Sequence, residues 1–291
     1  MENTKIVKDA LKELIKYENI SYIIPFNVAQ EKWISVLNRT DSSLLFNSDA
    51  KLTLLKLGYG LSNNSGQIKG NYNAILYNLN KYLGLITSKD KSIINNYAEK
   101  LLNIEGIHIF STLSELALAN YFSLKGHHVN FFYPFNLLFE NKVSKNRDID
   151  LEINTKDKSF LVEVYMPNYT PDSEGAFSGN PITEIDDIKN QLLYKLNKKF
   201  DLKKQPKIVG IDKPLYLAVY IKYDSMLLSQ MHTPLNFNDI ADKYFLKLYN
   251  LFKKAIESVV KENSFITDIL LFETDFFVKD GKLTLFNKIK M

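Results

Sequence analysis

DIDLEINTKDKSFLVEVY, running from Asp148 to Tyr165, decides how the rest of the chain is read. Its first six residues alternate acid and aliphatic with the period of two of a half-buried strand. Asp148, Asp150 and Glu152 share one face, and Ile149, Leu151 and Ile153 the other. Its last six, Phe160 to Tyr165, form an apolar strand broken by one acid, Glu163, between Val162 and Val164. The polar tract Asn154–Lys158 predicts a hairpin joining the two strands. A carboxylate in a central strand is costly unless something positive meets it. The hairpin brings one or two of the first strand's acids near Glu163, and close carboxylates repel, so the arrangement favours a divalent cation with a preference for hard oxygen ligands, Mg²⁺ or Mn²⁺. Such an ion can activate water and neutralise charge on a phosphodiester. Two other readings of these acids stay open. Glu163 fits a buried acid satisfied by Lys or Tyr in a non-catalytic core, and Asp148 fits a loop closure beside Arg147.

Upstream, Thr112–Leu124 reads as a helix stopped by Lys125 and Gly126, and His127–Tyr133 as a strand ending at Pro134. Downstream, a loop with Pro167, Pro171, Gly175, Gly179 and Pro181 leads to a helix over Thr183–Lys199. A strand over Leu215–Ile221, a helix from Phe237 to Val260 and two closing strands in FITDILLFET and LTLFN follow. The order α-β-β-β-α-β predicts an α/β fold with a mixed sheet flanked by helices. From Glu2 to Ile107 the apolar period is helical throughout. The expected organisation is therefore an all-α region over 1–108 and an α/β domain over 109–291. Gly58, Gly60, Gly66 and Gly70 form no phosphate loop, because no GK[ST] follows them and no strand precedes them.

Asp148-Ile149-Asp150-Leu151, then Glu163-Val164-Tyr165, with Glu115 on the preceding helix, resembles the PD-(D/E)XK, or restriction endonuclease-like, nuclease superfamily over Leu113 to Tyr220. The resemblance implies a restriction endonuclease-like sheet. It makes Asp150 and Glu163 the metal ligands, joined by the Val164 carbonyl and Asp148, with Glu115 assisting through water. The family's third position is lysine, and here it is Tyr165. A phenol of ordinary pKa ~10 cannot replace a permanent ammonium. On the following helix Ile185, Ile188, Leu192 and Leu196 form the apolar stripe, and Lys195 falls at its edge beside Gln191, so Lys195 is the lysine expected to reach Glu163. Lys198, Lys199, Lys203 and Lys204, with Gln191, would hold a nucleic-acid backbone. The activity implied is a Mg²⁺-dependent DNA endonuclease of restriction, defence or repair, and a two-fold homodimer would suit a duplex cutter. The competing expectation keeps the fold without the reaction, a silent module that binds nucleic acid or a protein, with Tyr165 marking the loss. An unrelated α/β protein with a buried Glu is the third. Thr112-Leu113-Ser114-Glu115 also matches a capping box.

Composition limits the rest. The chain has 291 residues, 45% of them hydrophobic, and a net charge of +4, which does not by itself announce a nucleic-acid partner. Six lysines between Lys195 and Lys207, against Asp201 alone, make a local basic stretch that suits phosphates or a solvated helix face. The absence of cysteine excludes disulfides and thiolate metal sites. No apolar run approaches the ~20 residues that span a bilayer, and the first residues lack a signal-peptide core, so the expected compartment is the cytoplasm, away from membranes. His127 and His128 head a strand, and His108 and His232 lack partners at ligand spacing.

Overall fold

The computed structural model describes residues 2–40, 46, 52–105, 109–140, 144–166, 181–220, 253–254 and 257–285, with side chains from 189 onward in the helix that opens at 181. The chain divides into two compact units: Met1–Tyr121 with Asp275–Leu283, and Phe122–Thr274 with Thr284–Met291.

The first unit is helical, as the apolar period predicts: α1 (Glu2–Leu14), α2 (Glu18–Ile23), α3 (Phe26–Arg39), α4 (Leu54–Asn63), α5 (Gly66–Leu83), α6 (Lys91–Leu102) and most of α7 (Ile109–Leu124). On α1 the residues Val7, Ala10, Leu11 and Leu14 turn inward, and Trp33 of α3 is fully buried with its indole N–H donating to Leu102 O at 3.1 Å. Gly58 is there for packing, because a Cβ would stand 2.8 Å from Ala10 O where α4 crosses α1. Buried Asn78 on α5 donates to Phe276 O and Val278 O and accepts from Asp280 N–H, which ties the returning segment Asp275–Leu283 to this unit. The helix α7 ends as expected. Gly126 takes φ +80°, its N–H bonds Ser123 O, and His127 N–H reaches back to Phe122 O, the paired bonds of a Schellman stop.

The second unit is built on a seven-stranded mixed sheet. In chain order the strands are β1 (His128–Leu138), β2 (Ser144–Asn154), β3 (Ser159–Tyr165), β4 (Lys207–Val209), β5 (Leu215–Tyr220), β6 (Asp268–Glu273) and β7 (Thr284–Leu285). Across the sheet they run β4-β1-β2-β3-β5-β6-β7, with β3, β5 and β6 parallel and the other neighbours antiparallel. The hairpin between β2 and β3 forms as read, closed by Thr155, whose N–H donates to Lys158 O and whose hydroxyl accepts from Lys158 N–H.

Several strand limits differ from the sequence reading, among them that of β2, which opens at Ser144 and not at Asp148. β1 does not stop at Tyr133 but continues through Pro134 to Leu138. Its neighbour β4 covers only Asn136–Leu138, so Pro134 sits where one edge of β1 carries no ladder and a missing N–H costs nothing. β4 itself lies unannounced in the lysine-rich stretch, a three-residue edge strand too short for a period-two pattern. The expected loop over residues 167–180 and most of the helix from Phe237 to Val260 lie outside the described residues, although 257–262 are helical.

Between β3 and β4 runs α8 (Pro181–Phe200). Its buried positions Leu192, Leu196 and Phe200 pack on Leu161, Tyr165, Leu215, Leu217 and Val219 of the sheet. At about 1.5–3 kcal/mol for each large apolar side chain removed from water, this stripe fixes which face of α8 meets β3. Among the described residues no helix is long and apolar enough to cross a membrane.

Candidate active site

The site begins with two missing rungs. The β2–β3 ladder runs from Asn154↔Ser159 to Leu151↔Val162 and ends there. Leu161 N–H bonds Pro214 O on the β5 side. Since backbone groups alternate edges along a strand, Val162 and Val164 present theirs to β2. Past Val162 no β2 backbone meets them. Instead Asp150 Oδ2 accepts the Val164 N–H at 2.8 Å, and Lys195 Nζ donates to the Val164 carbonyl. On the other side of β2 the register steps from Phe131↔Leu151 to Tyr133↔Ile149, passing over Phe132, which would oppose Asp150 and takes φ +59°. That left-handed backbone is strained for a bulky residue. Asp150 therefore sits where the sheet is interrupted on both flanks.

Glu163 shares the α8-facing side of β3 with Leu161 and Tyr165, and its side chain is 3% exposed. Lys199 Nζ stands 2.8 Å from Glu163 Oε2, 3.5 Å from Asp150 Oδ1 and 3.7 Å from Asp148 Oδ1. Lys195 Nζ lies 3.9 Å from Glu163 Oε1 and 5.1 Å from the centre of the Tyr165 ring. The Lys199 contact has the length of a charge-assisted hydrogen bond and lowers the Glu163 carboxyl, although its angle is poor.

Burial, and then the Asp150 charge, push the Glu163 carboxyl up to about 7, against the pull of Lys199 and Lys195. Burial alone would lower the Lys199 ammonium, but Asp150, Glu163 and Asp148 reverse this and hold it charged, above the usual lysine range. The Tyr165 phenol is raised by burial, so its hydroxyl stays neutral. It points toward Gln191 Oε1 at a long 3.4 Å.

The sequence-expected residues divide as follows. Asp150, Glu163, Lys195, the Val164 carbonyl, Tyr165 and Gln191 come together. Asp148 is half exposed and meets Lys199. Lys198, Lys203 and Lys204 are exposed. Lys199, expected at the nucleic-acid backbone, is instead the cation among the acids. The signal was its spacing: seven residues after Leu192 and eleven after Ile188, it falls inside the apolar stripe of the helix. Glu115 belongs to the first unit, where it is 6% exposed and accepts from the Tyr97 hydroxyl and from Lys100 Nζ at 2.7 Å. The capping box does not form there, because α7 has already begun at Ile109.

Asp150, Glu163 and the Val164 carbonyl are hard oxygen donors of the kind Mg²⁺ takes. Here the positive charge comes from two ammonium groups, Lys199 on both acids and Lys195 on the Val164 carbonyl. Among the described residues no cluster of three or more His, Asp or Glu side chains is arranged to hold a metal. No protein-family model matches the chain, and neither the curated proteins nor the solved structures contain a significant match to it.

Proposed function

We propose that the second unit is a metal-dependent phosphodiesterase acting on nucleic acid, a nuclease of the PD-(D/E)XK type. One observation carries this reading: two carboxylates and a freed backbone carbonyl meet two lysines from successive turns of one helix, at a break in the sheet. Asp150, Glu163 and the Val164 carbonyl would hold Mg²⁺ or Mn²⁺, and the ion, when bound, neutralises charge on a phosphodiester and acidifies water. The chain's own residues do the rest. Asp150 is aimed by the Val164 N–H. Lys199 keeps its proton in a buried place and offers a fixed positive charge to a phosphate oxygen, an effect strongest where water is excluded. Lys195, lying over the Tyr165 ring, takes the place of a strand lysine, with Tyr165 holding its stem as an aromatic support. DNA is the expected nucleic acid, and a two-fold dimer would present two such sites to a duplex.

A second reading has its own support. The acids already have counter-charges in Lys195 and Lys199, so the network can exist as a structural ion cluster in a non-catalytic module that binds nucleic acid or protein. Incubation of the full chain with plasmid and single-stranded DNA and RNA, with Mg²⁺, Mn²⁺ or EDTA, separates the two. Metal-dependent cleavage lost in Asp150→Ala and Glu163→Ala supports the enzyme. No cleavage by the wild type, together with no Mn²⁺ binding by calorimetry, overturns it in favour of the silent module.

A further inference from the structure

Away from the acids, α8 carries a second feature. Asn190, Leu193, Tyr194 and Asn197 follow one another at helical spacing on a different face from Lys195 and Lys199, and with Leu202 and Lys203 they line an open groove of about 440 Å³. That volume falls within the ~300–1,000 Å³ of ligand-sized clefts. Its far wall is fixed. Asp201 takes φ +51° and reverses the chain, the Lys203 N–H then bonds Asn197 Oδ1 at 3.0 Å, and Lys145 holds Asp201 at 2.9 Å. Tyr194, in the same lining, is 71% exposed, in contrast to the buried Leu192 and Leu196 on either side of it in sequence.

Charge points to the occupant. Lys203 lines this groove and is exposed, and Lys198 and Lys204, each next to a lining residue in sequence, are exposed too. The nearest acid in sequence, Asp201, pairs with Lys145 at 2.9 Å and also feels the Lys204 charge. An exposed tyrosine beside Leu193 and Leu202, with the exposed Lys203 in the same lining, is the chemistry that takes a flat π-system carrying phosphates.

We infer that this groove binds an unpaired nucleobase of a single-stranded nucleic acid, stacked on Tyr194, with the flanking phosphates on Lys198, Lys203 and Lys204. The inference rests on the reading of the acid site as a nucleic-acid site and names its substrate class. On the helical wheel Lys198 lies between the groove face and the face bearing Lys195 and Lys199, so one strand crossing α8 would meet Tyr194, then Lys198, then the acids. Asn190, exposed at the groove's edge, offers both a donor and an acceptor to a base edge.

The test is fluorescence anisotropy in EDTA, with a labelled oligothymidylate and an abasic phosphodiester of the same length. The wild type is expected to bind the oligothymidylate on the order of tenfold more tightly, the equivalent of one stacked base. Tyr194→Ala should erase that preference and Tyr194→Phe keep it. Lys203→Ala should weaken both probes alike and lower the salt slope by about one. Equal binding of the two probes by the wild type, or an unchanged preference in Tyr194→Ala, overturns the groove. So does loss of the preference in Glu163→Gln, which would put the base at the acids. Cleavage plays no part in this readout. A chain that prefers bases here yet neither cuts nor binds Mn²⁺ would refute the nuclease and leave the groove standing.

Discussion

Glu152 and Glu163 make an instructive pair. Both sit on the central hairpin, both are largely withdrawn from water, and each has a lysine at hand. Glu152 receives aligned hydrogen bonds from Asn130 at 2.8 Å and Lys213 at 2.5 Å. Burial pushes its carboxyl up, and those bonds more than reverse the push, so it lies below the usual carboxylate range. Glu163 has Lys199 at 2.8 Å and Lys195 at 3.9 Å, but its deeper burial and the like charge of Asp150 win. The first acid is held by a finished structural network. The second is buried beside a like charge, a perturbed state found both at functional sites and in structural ion networks.

The largest way to break this comparison is catalytic. If the assignment holds, Glu163→Ala and Asp150→Ala each reduce metal-dependent cleavage on the order of 10³-fold, whereas Glu152→Ala changes cleavage little and costs about 1–3 kcal/mol in a urea melt. Equal losses of cleavage from all three would erase the distinction.

Next comes pH. Glu163 binds its proton more readily folded than unfolded, so its contribution to stability is fully present below the ordinary 4.5 and declines as the pH rises toward 7. Glu152 has the opposite slope: its contribution is present above the ordinary 4.5 and is lost as the pH falls through its lowered value. Urea midpoints from pH 4 to 8 should show Glu163→Gln removing a downward trend worth about 3 kcal/mol at the most. Glu152→Gln should remove acid sensitivity instead.

Smaller is the effect on ion binding. Lys199 holds the position of a cation between Asp150 and Glu163, so Lys199→Ala should tighten Mn²⁺ binding on the order of tenfold, read by calorimetry, while Lys213→Ala leaves it unchanged. Smallest is Tyr165→Phe. Its hydroxyl makes only a 3.4 Å contact with Gln191 and the ring supplies the cation–π face, so stability should fall by less than about 1 kcal/mol.

The hairpin was legible because two patterns met there, period two in Asp148–Ile153 and a lone acid in Phe160–Tyr165. The glycine stop at Gly126 was legible for the same local reason. Lys199 was legible too, because at ~100° per residue it falls between Ile188 and Leu192, inside the apolar stripe, whereas Lys195 lies at its edge. Glu115 looked like a site residue because its spacing fitted a motif. What decides its environment is Tyr97 and Lys100, residues of α6 that no local pattern ties to α7. The ending of the β2–β3 ladder at Leu151↔Val162 had no sequence signal either, since strand divergence depends on both neighbours of β2.

That parted ladder has a practical consequence. The amide proton of Val164 is held by a titratable carboxylate where its neighbours along β3 are held by peptide carbonyls. Whatever draws electron density from Asp150 will move one backbone resonance in the middle of the sheet, so the ¹H–¹⁵N signal of this single residue can report occupancy of the acid pair in a chain of 291 residues, with no substrate present.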